Sequence, residues 1–528
     1  MIFKRVDVVE CLHGMSNQSS NNKQIAKNTL LLYFRMALTM TVSLYTSRVV
    51  LNVLGLEDYG IYTIVAGFII LFSFINGALA SATQRFLNFE LGRNECKKIE
   101  HIFSMSINIY FCLIIVVILL AETIGLWFLN TQINIPVERM NATNCVYQFS
   151  VLSLCISFIQ VPYHASVIAC EKMSFFAYIA IIEVALKLVV VLLLVYIGFD
   201  KLKLYSILLF GVTMLIFMCY KLYCSATIFF CHYKFFWDKS IFSELLSFSG
   251  WMLLGAAAGV GTTQGTNILL NIFYGVTVNA AVGVSNQVNA AVNQFVTNFQ
   301  TAFMPQIIKL YAVGDISQLQ RLINRSSRFS FLLLFALACP LMLNIDIVLN
   351  LWLKNVPEHS SAFCILILIY SLIEAMSKPV GLAIHATGQV KKYNIVMSIA
   401  LSMNILFSFV FLKLGLFPEI IAIISILVCI LCLIIRLYLA QRHCIVSIIE
   451  YFQNVMIRVI TVVLVTIPVP LFFSKYYAGL TAFFISSLTF VLIFIFAVYF
   501  IGFTYSERIK VCVLVKKNIK IICQKITI

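Results

Sequence analysis

The chain has 528 residues, of which 62% are apolar and 11% are charged, and its mean hydropathy is +0.99. This composition excludes an ordinary water-soluble globular protein and is typical of an integral membrane protein. The formal net charge of +16 is spread over many short connections rather than gathered in one groove, so it does not indicate a nucleic-acid partner.

Fourteen apolar segments follow one another along the chain, each long enough for a bilayer-spanning helix. The connections are short and leave almost nothing for a soluble domain. We therefore predict an all-α integral membrane protein with about 14 transmembrane helices. The predicted parts are a cytoplasmic N-terminal tail (1–24), six helices (25–231), six further helices (232–443), two additional helices (444–504) and a basic cytoplasmic tail (505–528).

Lys and Arg residues are divided unequally between the two predicted sides of the membrane. The tails and the turns on their side carry 26 of them, and the opposite turns carry 6. By the positive-inside rule both termini are cytoplasmic, which an even number of spans requires. We expect a multi-pass membrane protein. Residues 1–27 lack the apolar stretch of a cleavable signal peptide, and Met15 would serve as a start as well as Met1.

The first segment contains two arginines, Arg35 and Arg48, and no acid lies between Asn28 and Leu56 to neutralise them. An ionisable group in a spanning helix is a candidate functional residue. The planar, permanently charged arginine side chain suits an anionic group such as a phosphate, so both are predicted to bind substrate in a cavity. Arg48 could instead reach the outer interface. Arg85, at the inner end of the second segment, is a third candidate, with a positive-inside anchor as its alternative.

The fifth and tenth segments each carry a glutamate four residues before a lysine, namely Glu183 with Lys187 and Glu374 with Lys378. This order favours an ion pair within one helix, so mutual neutralisation is the simpler explanation. The alternative is that Glu183 or Glu374 exchanges H⁺ or Na⁺ during a transport cycle. These four residues are therefore the candidates for ion coupling.

The remaining groups that could carry chemistry give no comparable pattern. The 16 cysteines are scattered through apolar segments, and the pair Cys429 and Cys432 has apolar neighbours and no second pair. His164 and His385 are best explained by structural hydrogen bonds. We predict neither a metal site nor a cofactor.

The stretch Trp251–Met304 contains no Asp, Glu, Lys, Arg or His, yet it is rich in amide side chains. An unpaired amide is costly in hydrocarbon, which implies a wet cavity or partner helices on one side. Spacings of three, four and seven place many of these amides on one helix face. They either line a hydrophilic passage or only join helices. The predicted cavity residues here are Asn267, Asn271, Asn286, Asn289 and Asn293.

Similar short stretches recur at nearly constant offset in the two halves of the chain. The exit of the first segment at 51–60 is matched by 270–275, the turn at 92–94 by 314–316, and the region of Pro162 by that of Pro379. Six spans separate the copies, so the two halves have the same orientation. We predict two parallel six-helix lobes plus two C-terminal helices, with a cavity between the lobes.

The run from Arg48 to Gly55, followed by Tyr59-Gly60-Ile61-Tyr62, resembles the opening of the polysaccharide-exporter family. That family includes flippases of the Wzx type for O-antigen and lipid-linked oligosaccharides, in the MATE-like MOP superfamily. The resemblance implies alternating access that moves an undecaprenyl-diphosphate-linked O-antigen, capsule or exopolysaccharide repeat unit across the membrane, without nucleotide hydrolysis. Glycan-assembly enzymes and membrane lipids are the implied partners, and the bacterial cytoplasmic (inner) membrane is the implied location.

Two other functions were weighed against this one. A MATE-type cation-coupled multidrug exporter would share the layout, but such exporters generally place an acid in the first segment, which this chain lacks. A membrane enzyme would usually need catalytic groups on a sizeable outer loop, and the longest outer connections, 130–141 and 353–360, are short. We therefore expect a transporter and not an enzyme.

Overall fold

In the computed structural model, helices account for nearly all of the described residues. No strand is present among these residues. A helix satisfies its backbone hydrogen bonds within one segment, which hydrocarbon surroundings demand. The predicted all-α fold is therefore confirmed. The described residues are 18–131, 136–196, 199–353, 356–443, 446–476, 479–505 and 507–509.

The first half of the chain begins with one long, kinked helix. Helix α1 has 76 residues and bends at Gly55, where φ is 81° and ψ is 171°. Only glycine adopts this conformation at low cost, so the bend divides α1 into two arms. The helices of this half are α1 (Gln18–Arg93), α2 (Cys96–Leu120) with a π-helical turn (Ala121–Gly125), α3 (Leu126–Thr131), α4 (Met140–Ala169) after a 3₁₀ turn (Val137–Arg139), α5 (Met173–Tyr196) and α6 (Lys201–Thr227).

The second half contributes seven helices and is followed by a C-terminal group. The seven are α7 (Lys239–Tyr274), α8 (Val276–Val313), α9 (Ile316–Leu343), α10 (Ile345–Trp352), α11 (Ser360–Ala386), α12 (Val390–Lys413) and α13 (Ile420–Arg442). The C-terminal group comprises α14 (Ile448–Tyr451), a π-helical turn (Phe452–Met456), α15 (Ile457–Thr466), α16 (Pro468–Tyr476), α17 (Gly479–Ala497) and a second π-helical turn (Val498–Gly502).

Eleven helical stretches among the described residues are long and apolar enough to cross a membrane. The two arms of α1 and the amide-rich α8 bring the number to the predicted fourteen. Helix α8 has 38 residues and is about 57 Å long at 1.5 Å per residue, well over the thickness of a bilayer. Large apolar side chains such as Phe484, Leu488 and Leu492 on α17 are exposed. The chain is a multi-pass membrane protein.

Equivalent turns in the two halves share an unusual backbone conformation. In each of three pairs of turns, both halves place a residue with positive φ. Such a residue ends a helix by turning the chain away from the helical path. The common geometry is what an internal repeat predicts. The pairs are Gly55 (81°) with Gly275 (77°), Asn94 (61°) with Gly314 (81°), and Glu171 (56°) with Gly388 (79°).

The chain divides into two compact units. The first consists of Met1–Ala257, Thr301–Asp315 and His385–Ile395. Within it α4 packs against α1, α5 and α6, and fully buried rings such as Phe103 and Phe158 fill the space between the helices. The first unit thus has an apolar core of its own.

The segment Thr301–Asp315 is held in the first unit by charge and by close packing. The Lys309 ammonium lies 3.1 Å from a carboxylate oxygen of Glu171, and both side chains are largely buried. Gly92 lies so close to this segment that a Cβ there would be 2.7 Å from the Ala312 Cβ. Only glycine permits this approach.

The second unit consists of Ala258–Gln300, Ile316–Ile384 and Val396–Ile528. The C-terminal helices belong to it because α17 packs on α9, with the rings of Phe335 and Phe490 edge to face at 5.6 Å. The lobe boundaries expected from the sequence stay a prediction.

Candidate functional site

A cavity of about 340 Å³ lies within the second unit, bounded by α7, α8, α11, α12 and α13. Four amide side chains and several hydroxyl-bearing side chains line it, and we call it the amide cavity. Its amides come from three helices, which no single periodic pattern could show. They are Asn267 of α7, Asn286 and Asn289 of α8, and Asn404 of α12.

The amide cavity is charged at one end. It extends from Phe363 and Ile421, near the first residues of α11 and α13, to Glu374 and Arg436 on the same two helices. These charged residues lie 14 and 16 positions beyond the first residues of α11 and α13, about 21 and 24 Å along the helix axes. The Arg436 guanidinium donates a hydrogen bond to the hydroxyl of Ser377. An acid and a base therefore lie at similar depth in the lining of one cavity.

The ion pair between Glu374 and Lys378 is loose. The ammonium nitrogen lies 3.8 Å from a carboxylate oxygen, and the lysine side chain is 46% exposed whereas the glutamate is 31% exposed. Lys378 is not among the residues that line the amide cavity, whereas Glu374 is. The ion pair within one helix that the sequence predicted is thus present. Its length is compatible with a Glu374 carboxylate that also faces the amide cavity.

The amides of α8 have two roles in the second unit. Asn286 and Asn289 line the cavity, whereas the Asn293 amide donates to Asn289 Oδ1 at 2.7 Å and to the Ser371 hydroxyl at 3.0 Å. Further along, the Gln300 amide donates to a main-chain carbonyl of α11 at 3.1 Å. The amides of α8 thus divide between residues that line a cavity and residues that join helices, and the predicted hydrophilic passage stays a prediction.

A second cavity, of about 840 Å³, lies within the first unit. Its lining includes His164, Glu183 and Lys187, and we call it the histidine cavity. Tyr62 and Tyr205 also line it, with their rings 5.1 Å apart. Aromatic and hydroxyl-bearing side chains therefore make up more of the lining of the histidine cavity than amide side chains do.

The charges of the histidine cavity form a tight pair. Lys187 Nζ donates to Glu183 Oε1 at 2.6 Å across one turn of α5, and the two side chains are 44% and 39% exposed. A pair this exposed contributes little to stability. The positions of both residues in the cavity wall are consistent with either explanation given for them above.

Arg35 lies beside the histidine cavity. Its guanidinium carbon is 4.4 Å from the centre of the Phe176 ring, and the same ring is 5.1 Å from the ring of His164. A cation over an aromatic face is stabilised by the ring quadrupole. The side chain of Arg48 falls outside the described residues, so its predicted role stays a prediction.

Arg85 is fixed in a packed environment and lines neither cavity. Its guanidinium lies over the rings of Phe86 and Phe89, at 4.6 and 4.7 Å, and donates to the Ala386 carbonyl at 3.1 Å. A Cβ at Gly388 would lie 2.6 Å from the same guanidinium, and Gly388 has a φ of +79°. The side chain is only 6% exposed. This geometry accords with an anchoring role, the alternative considered from the sequence.

The sequence pattern did not separate lining residues from their neighbours. Asn271 is exposed at the end of α7 and is not among the residues that line the amide cavity. Arg436 lines that cavity, although it is not among the residues predicted from the sequence. Its position well inside an apolar helix was the available signal.

Among the described residues no group of three or more His, Cys, Asp or Glu side chains is placed to hold a metal ion. The side chains that line the two cavities offer hydrogen bonding by amides and hydroxyls, and charge compensation by acids and bases. Such groups can bind a polar solute or an ion reversibly.

No protein-family model matches this sequence, and a comparison with curated proteins finds no match. Solved structures, in contrast, are similar over most of the chain. One is an outward-facing conformation of a multidrug resistance MATE family transporter of the MOP superfamily. Its TM-score is 0.70 at 13% sequence identity, over 83% of this chain and 98% of that chain.

Two further solved structures are similar to this chain over most of its length. A MATE structure in the straight conformation has a TM-score of 0.69 at 14% identity, covering 83% of this chain and 98% of the other. A MOP superfamily transporter from Pyrococcus furiosus, whose binding pocket is described as having reverse polarity, has a TM-score of 0.68 at 13% identity over the same shares. Identities this low establish the fold alone. The chain has the fold of the MATE transporters of the MOP superfamily.

Proposed function

We propose that this protein moves an undecaprenyl-diphosphate-linked oligosaccharide across the bacterial cytoplasmic membrane by alternating access, coupled to H⁺ or Na⁺. The cargo would be an O-antigen, capsule or exopolysaccharide repeat unit. The observation that carries the proposal is the amide cavity, in which Asn267, Asn286 and Asn289 line one space with Glu374 and Arg436.

The lining of the amide cavity suits a glycan. Each asparagine offers two donors and an acceptor, as the hydroxyls of a sugar require. Thr262 and Ser425 add hydroxyls to the same wall. A cavity for a greasy cargo would not need these groups, since each costs free energy when it is left without a partner in an apolar environment.

The charged end of the amide cavity suits a phosphate group and a coupling ion. The guanidinium of Arg436 can bind phosphate oxygens through two parallel hydrogen bonds. Glu374 can bind H⁺ or Na⁺ when its bond to Lys378, already long at 3.8 Å, opens. Arg35 supplies a further cation in the first unit.

The proposal is tested with the purified protein in liposomes that contain a fluorescent polyprenyl-diphosphate oligosaccharide. Its passage to the other leaflet is followed by quenching with an impermeant reagent. Arg436→Gln, Arg35→Ala and Asn286→Ala should each slow the passage. Gln287→Ala is the matched control, because Gln287 is the next residue on α8 and is exposed.

Wild-type protein that leaves the labelled lipid in its original leaflet would contradict the proposal. Equal rates for Asn286→Ala and Gln287→Ala would contradict the role of the amide cavity while leaving the function intact. A cell that lacks its own flippase and regains surface glycan when it expresses this chain would support the cargo class independently.

A cation-coupled exporter of small molecules is the second candidate, and the cavity volumes favour it. Volumes of about 340 and 840 Å³ fall in the range that binds drug-sized ligands. This candidate predicts that the chain confers drug resistance when expressed and that its deletion leaves surface glycan unchanged. Loss of surface glycan on deletion, without drug resistance on expression, would support the flippase.

A further inference from the structure

We propose that an arginine patch in the second unit binds the phosphate of an anionic phospholipid from the surrounding bilayer. The patch lies where the first turns of α9 meet the end of the last membrane span. It is separate from both cavities. Its members are Arg321, Arg325 and Arg328 of α9, Arg458 of α15, and Arg508.

Three of these arginines follow the periodicity of one helix face. Arg321, Arg325 and Arg328 are spaced by four and three residues, so they point to one side of α9. Arg321 is exposed, the Arg325 side chain is 37% exposed, and that of Arg328 is 2% exposed. The face therefore leads from the surface at the beginning of α9 into the protein.

Glu507 holds the buried end of the patch in place. One of its carboxylate oxygens lies 2.5 Å from Arg328 Nη2, and the other lies 3.7 Å from Arg325 Nε. The backbone amide of Thr504 donates to the same carboxylate at 2.8 Å. Because a buried guanidinium needs a hydrogen-bonded counter-charge, Glu507 is committed to the inner part of the patch.

The fourth and fifth arginines are bound to main-chain oxygens after the last span. Arg458 Nη1 donates to the carbonyls of Ile501 and Phe503 at 3.1 and 3.0 Å. Arg508 Nε donates to the Phe503 carbonyl at 3.4 Å. These oxygens at a helix end carry partial negative charge only, so they fix the two guanidinium groups without neutralising them.

The charge balance of this region is positive. Of the five guanidinium groups, those of Arg325 and Arg328 pair with Glu507. Two other described acids lie near the beginning of α9: Asp315 directly precedes the helix, and Glu450 accepts a hydrogen bond from Gln320. After Glu507 the sequence contains five lysines, Lys510, Lys516, Lys517, Lys520 and Lys525, and no acid. Clusters of this size next to a membrane span attract anionic lipids.

The position of the patch relative to the bilayer favours a lipid phosphate as its ligand. Arg321 lies five residues after the first residue of α9, about 8 Å along the axis, a depth comparable to the headgroup layer of a bilayer. Apolar residues such as Ile457 and Ile460 of α15 are exposed nearby in the chain and can contact acyl chains. A phospholipid can contact the arginine patch with its phosphate and these apolar residues with its acyl chains.

The test measures binding of labelled phosphatidylglycerol to the full-length protein in phosphatidylcholine nanodiscs. The double variant Arg321→Gln/Arg325→Gln should weaken this binding about tenfold, since each basic group near an anionic surface contributes measurably. Arg442→Gln is the matched control, because Arg442 is an exposed arginine at the end of α13. Raising the salt from about 0.1 to 0.5 M should also weaken binding.

Equal binding by the wild type and the double variant would overturn the proposal. So would displacement of the labelled lipid by millimolar inorganic phosphate, which would indicate a site for a free anion. Because no glycan is present in the experiment, its result does not depend on the proposed transport function.

Discussion

The two cavities have one feature in common and differ in how it is used. In each, a wall helix carries a glutamate four residues before a lysine. In the histidine cavity the two charged groups, Glu183 and Lys187, are 2.6 Å apart and both line the space. In the amide cavity the corresponding distance, between Glu374 and Lys378, is 3.8 Å, and only the glutamate lines the space.

From this difference we propose that the same sequence motif has two functions. A tight pair within one helix compensates itself and requires nothing from a ligand. A looser pair whose acid shares its cavity with Arg436 can exchange partners, because the carboxylate has a second cation on the neighbouring helix α13. The amide cavity is therefore the better candidate for ion coupling.

The largest effect should come from removing the charge of the amide cavity. We expect Glu374→Gln to lower ion-coupled transport at least about tenfold, the loss of a little over 1 kcal/mol of coupling energy. Glu183→Gln should lower it less than about threefold, because Lys187 can be hydrated where its side chain is 44% exposed. Transport in liposomes with and without an imposed ion gradient measures both.

The variant Lys378→Gln distinguishes the role of Glu374 itself from the role of its ion pair with Lys378. If neutralisation were the purpose of Glu374, losing either partner would have the same effect. We expect the lysine variant to retain most of the gradient response. Equal losses in Glu183→Gln and Glu374→Gln would show that the two cavities are equivalent and would remove the distinction drawn above.

A smaller effect should follow from the amide network at the wall of the amide cavity. Asn293→Ala removes the hydrogen bonds to Asn289 and Ser371. It should destabilise the protein by about 0.5–1.5 kcal/mol, the usual net contribution of a hydrogen bond, because the Ser371 hydroxyl still donates to Asn289 Oδ1 at 2.7 Å. We expect transport to slow about threefold, because Asn289 loses one of the groups that position it. Gln294→Ala, which removes the exposed amide next to it, is the control for thermal unfolding and for transport.

The smallest effect on transport should come from the loss of an ion-pair group in the first unit that lies outside both cavities. Arg139 forms ion pairs with Asp58, which is only 4% exposed, and with Asp200. Arg139→Ala should lower stability by about 1–2 kcal/mol, since its own side chain is partly exposed, and should leave transport near normal at low temperature. Thermal unfolding in detergent measures the first effect. A strong transport defect in fully folded Arg139→Ala protein would instead give this group a part in the cycle.

Much of the fold follows from local features of the sequence. Long uncharged apolar segments can only be helices in hydrocarbon, and Gly55 marks the bend that divides α1. The repeat was visible in short motifs, and its turns indeed share positive φ at residues such as Asn94 and Gly314. The spacing of Glu183 and Lys187 was sufficient to predict their ion pair.

The site was predictable only in part, because periodicity gives the face of a helix and not the neighbour of that face. It placed Asn286, Asn289 and Asn293 on one side of α8, and two of them line a cavity whereas the third joins helices. The sequence singled out Arg85, which is buried, and missed Arg436, which lines the amide cavity.

Composition and the order of residues determined that this chain lies in a membrane, how many times it crosses, and where its helices bend or end. These properties depend on solvation and on backbone conformation within a few neighbouring residues. The tertiary structure decided that Asn267, Asn404 and Arg436 line one space and that Glu507 neutralises arginines from a distant part of the chain, Arg325 and Arg328. Such assignments depend on distances between helices, which hydrophobic packing sets and which no single segment encodes.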